Sequence, residues 1–195
     1  MKILWSRSFR VVEGRYNALA YLENRNKNTV VKKIHYRFRF ADANNIYIGK
    51  REGSTYIPAS GKFAVFEPAI DVGHSMPVYT TFEFTEVPAW VTVSEDKVRQ
   101  LQVLVSNINL TGEDTAPALS ATIKNNSFFN IKEMNVVAIL YDASHNAISA
   151  SKTFLDALAP AESKDVSFTW PEVFTAKVAT KEILPMYDFD SAQIK

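Results

Sequence analysis

Apolar and polar side chains alternate along this chain with a period of two, and that pattern limits what it can fold into. The clearest run spans residues 33–40, KIHYRFRF. A strand places successive side chains on opposite faces, so one face of this run would be apolar and the other basic. A helix would scatter the apolar residues around its circumference. The run therefore predicts a half-buried β-strand, with an apolar face of Ile34, Tyr36, Phe38 and Phe40.

Short alternating runs recur along the whole sequence, and turn signals separate them. The runs lie at residues 18–22, 63–66, 80–84, 101–105, 119–123, 136–141 and 166–170. Segments rich in Asp, Asn, Pro, Ser and Gly stand between several of them, as at 42–45, 58–61 and 111–114. Short strands at regular spacing with turns between them predict an all-β sandwich. Only the segment 94–100 is compatible with a short helix.

The two halves of the sequence repeat the same order of elements: strand, Asn, loop, strand, Asp, turn, strand, Pro, strand. Asn and Asp side chains form hydrogen bonds with nearby backbone in turns, and Pro suits a place where no strand donor is needed. We predict that the equivalent turn residues superpose. The pairs are Asn24 with Asn125, Asp42 with Asp142, and Pro58 with Pro160.

A repeat of about 100 residues has the size of one immunoglobulin-like sandwich. We therefore predict two tandem immunoglobulin- or fibronectin-III-like antiparallel β-sandwiches. The N-terminal domain would span residues 1–93 and the C-terminal domain residues 94–195. The segment 86–97 contains Val87-Pro88 and the charged run SEDK, which is typical of a linker.

Composition excludes several classes of function. The 22 Lys and Arg residues balance 21 Asp and Glu residues, whereas a protein that coats phosphates usually has a basic excess, so nucleic acid is not an expected partner. The absence of Cys excludes disulfides and thiolate chemistry. No apolar run is long enough to span a bilayer, and the first seven residues lack the apolar middle of a signal peptide. We expect the chain as given to be soluble.

The sequence lacks the motifs that usually carry chemistry. Its three histidines, His35, His74 and His145, fall in separate elements and match no metal-ligand spacing. There is no phosphate-binding glycine loop, no nucleophile elbow and no converging acid and base. We predict that the chain is not an enzyme and needs no cofactor or metal.

Two apolar features could serve binding. The first is the pair Phe128 and Phe129, which the repeat places in a loop between strands. One of these rings could fold back onto its own core. Alternatively, the loop could contact a partner or the neighbouring domain, since loops of sandwiches often carry recognition.

The second apolar feature is a stripe of Val137, Ile139 and Tyr141 on the outer face of a strand. The matching stripe in the first half is basic, with His35 and Arg37 among its members. An outward apolar stripe suggests a contact with the other domain, a second copy or a partner. Coverage by a loop of the same domain is the alternative. The basic stripe is typical of a solvated face, and a contact with an anionic polymer is the alternative.

The second half resembles the FxLYD family of bacterial and archaeal β-sandwich modules. The similarity rests on residues 123–127, Leu140-Tyr141-Asp142 and residues 158–163. Ala138 stands where the family motif has Phe. The first half has Phe38 at that position, but Phe40-Ala41-Asp42 in place of Leu-Tyr-Asp.

The whole chain resembles envelope proteins of candidate-phylum bacteria that carry a short N-terminal membrane anchor before such a pair of sandwiches. The residues that suggest it are 4–7, 23–26 and 51–53. The resemblance implies an extracytoplasmic location on the cell envelope. It also implies that the full-length protein contacts the membrane only through an anchor that this chain lacks.

These observations predict a non-catalytic module for binding or scaffolding in the cell envelope, with an unknown protein or an envelope polymer as partner. A structural spacer that holds another element off a membrane is one alternative. A hydrolase is another, and it would need two titratable groups within hydrogen-bond distance in a pocket.

Overall fold

The computed structural model describes residues 1–189 and 192–194. The chain divides into two compact units, Met1–Thr92 and Val93–Lys195. Within the described residues each unit contains seven β-strands, and every strand pair is antiparallel. Each unit is an immunoglobulin-like β-sandwich, so the predicted all-β class is confirmed.

Unit 1 packs a three-stranded sheet, β1-β2-β5, against the sheet β4-β3-β6, with β7 also paired to β3. The long side chains between the two sheets, such as Phe38, Phe40 and Phe63, are fully buried. The strands are β1 (Lys2–Val12), β2 (Arg15–Asn24), β3 (Thr29–Ala41), β4 (Tyr47–Ile57), β5 (Gly61–Asp71), β6 (Tyr79–Phe84) and β7 (Val91–Thr92).

Unit 2 begins with a short helix, α1 (Glu95–Gln100), whose first turn is capped by the side chain of Ser94. Its sheets are β8-β9-β12 and β11-β10-β13, with β14 paired to β10. The order of pairing is therefore the same in both units. The strands are β8 (Val103–Thr111), β9 (Ala118–Asn125), β10 (Phe129–Tyr141), β11 (Ala147–Leu158), β12 (Ser163–Thr169), β13 (Thr180–Met186) and β14 (Gln193–Ile194).

A buried asparagine joins the two sheets at the same place in each unit. In unit 1 the Asn24 Nδ2 donates to the carbonyls of Thr29 and Pro58, at 3.0 and 2.7 Å. In unit 2 the Asn125 Nδ2 donates to the carbonyls of Phe129 and Leu158, at 2.7 and 2.9 Å. Each amide thus donates to two backbone carbonyls that lie at or next to strand ends of the opposite sheet.

Matching aspartates close the hairpins β3–β4 and β10–β11. Asp42 Oδ1 accepts from the backbone N–H of Asn44 and Ile46, both at 2.9 Å. Asp142 Oδ1 accepts from Ser144 at 2.9 Å and from Asn146 at 2.8 Å. The fourth residue of each turn has a positive φ, which Asn and His tolerate better than most residues, and these are Asn45 and His145.

The prolines do not occupy equivalent places. The carbonyl that meets Asn24 belongs to Pro58, whereas the carbonyl that meets Asn125 belongs to Leu158. Leu158 is therefore the counterpart of Pro58, and Pro160 lies two residues further along in the turn before β12. The predicted superposition of Pro58 with Pro160 is wrong, because the two loops follow different paths after that carbonyl.

Candidate functional site

The outward side chains of β4, β3 and β6 form four rows across the sheet, and we call this surface of unit 1 the charged face. Directly paired residues of antiparallel strands lie side by side on one face of a sheet. All twelve side chains are exposed apart from those of Arg37 and Ala41, which are half-buried. The rows are Ser54–His35–Thr85, Glu52–Arg37–Glu83, Lys50–Arg39–Thr81 and Tyr47–Ala41–Tyr79.

Ion pairs connect the middle rows. Arg37 Nε lies 2.6 Å from Glu52 Oε1, and Arg37 Nη1 lies 3.4 Å from Glu83 Oε1. Arg39 also reaches Glu83, at 3.1 Å, and Lys50 reaches Glu52, at 3.1 Å. The hydrogen bond from Arg37 holds the pKa of Glu52 below its ordinary value, and Glu52 in turn raises the pKa of Arg37. Glu52 and Arg37 therefore both stay ionised near neutral pH.

An open cavity of about 470 Å³ lies at the polar end of the charged face. Gly53 forms part of its wall, where β4 passes close to the ring of Tyr36. A Cβ at Gly53 would lie 2.5 Å from the Tyr36 hydroxyl, so a larger residue there would displace that ring. The lining residues are His35, Tyr36, Arg37, Glu52, Gly53, Ser54 and Thr85.

Residues of three catalytic types lie in or near this cavity, and they are His35 and Ser54 in its lining and Glu86 beside His35. His35 Nδ1 lies 3.0 Å from Glu86 Oε1, and the same oxygen accepts from the His35 backbone N–H at 2.8 Å. These bonds, the backbone one first, lower the pKa of Glu86. Ser54 pairs with His35 across the strands. Its hydroxyl makes no hydrogen bond to the imidazole among the described contacts, and that bond is what activates a serine nucleophile.

A polar group also lies beneath the charged face. The Tyr36 hydroxyl donates to Glu67 Oε1 at 2.5 Å, and Arg51 Nε lies 3.7 Å from Glu67 Oε2. Burial, strengthened by the bond to Glu67, raises the pKa of Tyr36 far above its ordinary value. Glu67 pairs with Ala18 on β2, just as Phe168 pairs with Leu119 on β9. A carboxylate thus replaces an aromatic ring at this core position.

The equivalent face of unit 2 is apolar and covered. Val137 and Ile139 are 1% and 0% exposed, although the residues on the other side of β10 are buried as well. Tyr141 is half-buried, and its hydroxyl donates to Glu182 Oε2 at 2.7 Å. The chain itself covers Val137 and Ile139, so they leave no open apolar surface for a separate partner.

The two phenylalanines predicted in a loop take different positions. Phe128 lies in the loop and is 77% exposed. Phe129 is the first residue of β10 and is buried, with Lys97 Nζ 5.6 Å from its ring centroid. Of the two alternatives for this loop, Phe129 follows the one in which a ring returns to its own core.

The sequence prediction found the basic stripe but missed its partners. His35, Arg37 and Arg39 lie on one exposed face as expected, whereas the sequence pattern predicted no role for the acids Glu52 on β4 and Glu83 on β6 or for the two exposed tyrosines. The sequence does contain a signal for the residues on β6, because Tyr79 and Glu83 belong to an alternating pattern of exposed and less exposed residues along that strand. His74 and His145 lie in separate exposed turns.

Within the described ranges 1–189 and 192–194, no group of three or more His, Cys, Asp or Glu side chains could hold a metal ion. In the same part of the chain, no helix has the length and apolar character that crossing a bilayer requires. A second open cavity, of about 430 Å³, lies in unit 2 between Glu113, Asp114 and residues 174–177.

Comparison with known proteins gives little that bears on activity. No family model and no curated protein matches the chain. One similar solved structure is a red sea bream transglutaminase, at 11% identity and a TM-score of 0.30, covering 96% of this chain and 29% of that one. Another is β-glucuronidase 2 of Bacteroides uniformis bound covalently to cyclophellitol-6-carboxylate aziridine, at 12% identity and a TM-score of 0.28, covering 89% and 25%. The chain spans less than a third of either protein.

Proposed function

We propose that this chain is a non-catalytic module for binding or scaffolding in the cell envelope, and that the charged face of unit 1 is its ligand-binding surface. The observation that supports this is a difference between two equivalent sheet faces. The face of β11-β10-β13 is buried at Val137 and Ile139, whereas the outward residues of β4-β3-β6 in the four rows are exposed apart from the half-buried Arg37 and Ala41. An exposed, rigid and highly functionalised sheet is well suited to recognition.

The chemistry of the charged face favours binding over catalysis. Its cations and carboxylates are held in pairs, so none is left as a free base with a perturbed pKa in a water-excluded site. Ser54 lacks the hydrogen bond to His35 that a nucleophile would need. The same paired charges can exchange partners with a ligand that carries both acceptors and donors.

The proposed location rests on resemblance. The FxLYD-like segments of unit 2 and the similarity of the whole chain to anchored envelope proteins support a place on the extracytoplasmic side. In this proposal unit 2 supplies an apolar scaffold, and unit 1 presents its charged face to a protein or polymer of the envelope.

The test is co-sedimentation of the full chain with insoluble envelope material prepared from several bacteria. Replacing Arg37 and Arg39 by Ser should weaken binding at least about tenfold and reduce its dependence on salt. The matched control replaces Arg25 and Arg99 by Ser. Both arginines are exposed and ion-paired, but they lie outside the charged face. Equal loss in both variants would refute the assignment to the charged face. No binding by the native chain would favour a spacer.

A further inference from the structure

Two exposed tyrosines flank a small residue at one end of the charged face. Tyr47 on β4 and Tyr79 on β6 both pair with Ala41 on β3. Their side chains are 59% and 52% exposed. Neighbouring strands lie about 4.8 Å apart, so the two tyrosine backbones stand roughly 10 Å from each other, with Ala41 as a low floor between them. Exposed apolar side chains that lie next to one another mark interaction sites more often than single exposed residues do.

Two cations occupy the next row of the same face. Lys50 and Arg39 pair with each other about 7 Å along the strands from the tyrosine row. Their side chains are 51% and 52% exposed. Their carboxylate partners, Glu52 and Glu83, lie in the row on the far side from the tyrosines. The row of cations therefore lies between the row that contains the two carboxylates and the row that contains the two tyrosines.

A row of rings beside a row of cations matches a specific ligand chemistry. The C–H face of a sugar ring packs on an aromatic ring, and the phenol hydroxyl can bond to sugar hydroxyls. A carboxylate on the sugar forms charge-assisted hydrogen bonds with Lys or Arg. An extended chain of acidic sugars could place alternate rings on the two tyrosines and direct its carboxylates to the cation row.

We propose that Tyr47, Tyr79, Lys50 and Arg39 form a binding site for a polysaccharide built from carboxylate-bearing sugars. The sugar chain lies across the strands, along the tyrosine row, with Ala41 beneath its middle. This assignment rests on the proposed function, because it names the ligand class of the charged face. It adds the tyrosine row, which the basic stripe alone does not require.

An anionic lipid surface is the competing occupant. Ile46, Met76 and Val78 lie in the loops beside the tyrosines and are 60%, 61% and 45% exposed. A membrane would use these loop residues and would tolerate the loss of either tyrosine. The strand position of the rings, in register with Lys50 and Arg39, favours a rigid extended ligand instead, since sites on strands hold geometry better than sites on loops.

The experiment is isothermal titration of the full chain with oligomers of galacturonate, glucuronate and mannuronate. Three further probes separate the sources of binding: a cello-oligosaccharide of equal length tests sugar without charge, inorganic polyphosphate tests charge without sugar, and vesicles of phosphatidylglycerol test a lipid surface. Thermal unfolding of every variant verifies that it folds, which the exposure of the replaced side chains leads us to expect.

We expect at least one uronate oligomer to bind. Tyr47→Ala and Tyr79→Ala should each raise its Kd about tenfold or more, as should the double change of Lys50 and Arg39 to Ser. Tyr→Phe at both positions should retain most of the binding, because the ring face remains. Phe154→Ala removes an exposed ring from unit 2 and should change nothing.

Three outcomes would overturn the proposal. They are the failure of all three uronates to bind, uronate binding that survives both Tyr→Ala changes, and preferential binding to vesicles that depends on Ile46 and Met76. The native chain could bind envelope material in a way that depends on Arg37 and Arg39, while no uronate binds. The charged face would then keep its proposed role, and only the proposed ligand class would be wrong.

Discussion

The sheets β4-β3-β6 and β11-β10-β13 have the same strand order, but the outer face of the first is charged and exposed and that of the second is apolar and buried. In unit 1 the central strand β3 presents His35, Arg37 and Arg39 to solvent. In unit 2 the central strand β10 has Val137 and Ile139 at the corresponding places, and both are buried. The hairpin aspartates and the buried asparagines are shared between the units. The units thus keep the residues that fix their topology and differ on one face.

That difference shows which constraints the fold imposes and which it leaves free. A turn that needs two backbone N–H groups satisfied by one side chain accepts few residues besides Asp and Asn. The outward position of a strand accepts either a paired charge or a covered apolar side chain. Function can therefore diverge on this face without disturbing the sandwich, and exchanging residues between the two units tests the idea directly.

The largest effect should come from exchanging the residues at the third outward row. Ile139→Arg places a charge where the side chain is 0% exposed, which should lower the free energy of unfolding by about 3–5 kcal/mol. The reciprocal change, Arg39→Ile, removes one exposed ion pair and should cost no more than about 1 kcal/mol. Urea unfolding that is monitored by hydrogen exchange, with the amides of each unit evaluated separately, measures both changes in free energy. Similar costs for the two changes would contradict the contrast between the faces.

Loss of a buried asparagine should come next in size. Asn125 is 0% exposed and its Oδ1 also accepts from both the backbone and the hydroxyl of Ser127. Asn125→Ala removes these bonds and leaves two carbonyls without their amide donor, at a cost of about 2–4 kcal/mol.

Asn24→Ala is the matched change in unit 1. Among the described contacts, the Asn24 Oδ1 accepts from the backbone N–H of Asn26, at 3.0 Å, and Asn26 has no hydroxyl to match that of Ser127. Its loss should cost about 1 kcal/mol less than the loss of Asn125. Chemical denaturation of both variants gives the comparison, and a larger cost at Asn24 would show that the two joints are not equivalent.

Local chemistry explains what the sequence could predict about the fold. Alternation identified the strands, and the repeated Asn and Asp identified the joints, because these signals depend on neighbouring residues alone. The equivalence of Pro58 with Pro160 failed since it depends on the path of a loop in three dimensions. Contact between β5 and β2 placed Glu67 opposite Ala18, and no local pattern carries that register.

The candidate site was less predictable than the fold. Its basic stripe lies within one strand and is visible as every second residue. Its acids and tyrosines come from β4 and β6, so their position beside Arg37, Arg39 and Ala41 requires the pairing register. Register is set by the hairpin turn and its bulge, which residue composition does not specify.

The third effect concerns the polar group in the core of unit 1. Tyr36→Phe leaves the Glu67 carboxylate without its hydroxyl donor and should lower stability by about 1–2 kcal/mol at neutral pH. Val136 aligns with Tyr36 and has no hydroxyl, so unit 2 contains no equivalent bond. Urea unfolding at pH 7 measures the change. A neutral result would mean that Arg51 alone satisfies Glu67.

The same tyrosine gives unit 1 an alkaline dependence. The raised pKa of Tyr36 means that the folded state keeps a proton that the unfolded chain releases above the ordinary value of 10.0. The contribution of Tyr36 to the stability of unit 1 should therefore be fully present below that pH, and it should be lost as the pH rises above it. Tyr36→Phe should flatten the decline without abolishing it, because burial also raises the pKa of Tyr187 in unit 2, to about 12.

The smallest effect compares Glu86 with Tyr187, which follow the ends of the matching strands β6 and β13. Their pKa values move in opposite directions from their ordinary values. Hydrogen bonds from the His35 backbone and ring lower the pKa of Glu86, whereas burial raises that of Tyr187. The contribution of Glu86 to stability is thus present above pH 4.5 and is lost as the pH falls through its lowered pKa.

His35→Ala separates the two bonds to Glu86. It removes the imidazole but keeps the backbone N–H, so the pKa of Glu86 should rise only part of the way to 4.5. A carbon-13 NMR titration of the glutamate carboxyls measures this shift, with the absorbance of Tyr187 above pH 10 as the opposite case. If Glu86 titrates with its ordinary pKa in the native chain, the hydrogen bonds from His35 to Glu86 do not form in solution. The backbone bond explains why the expected change is small, since the carboxylate keeps its principal donor after the ring is gone.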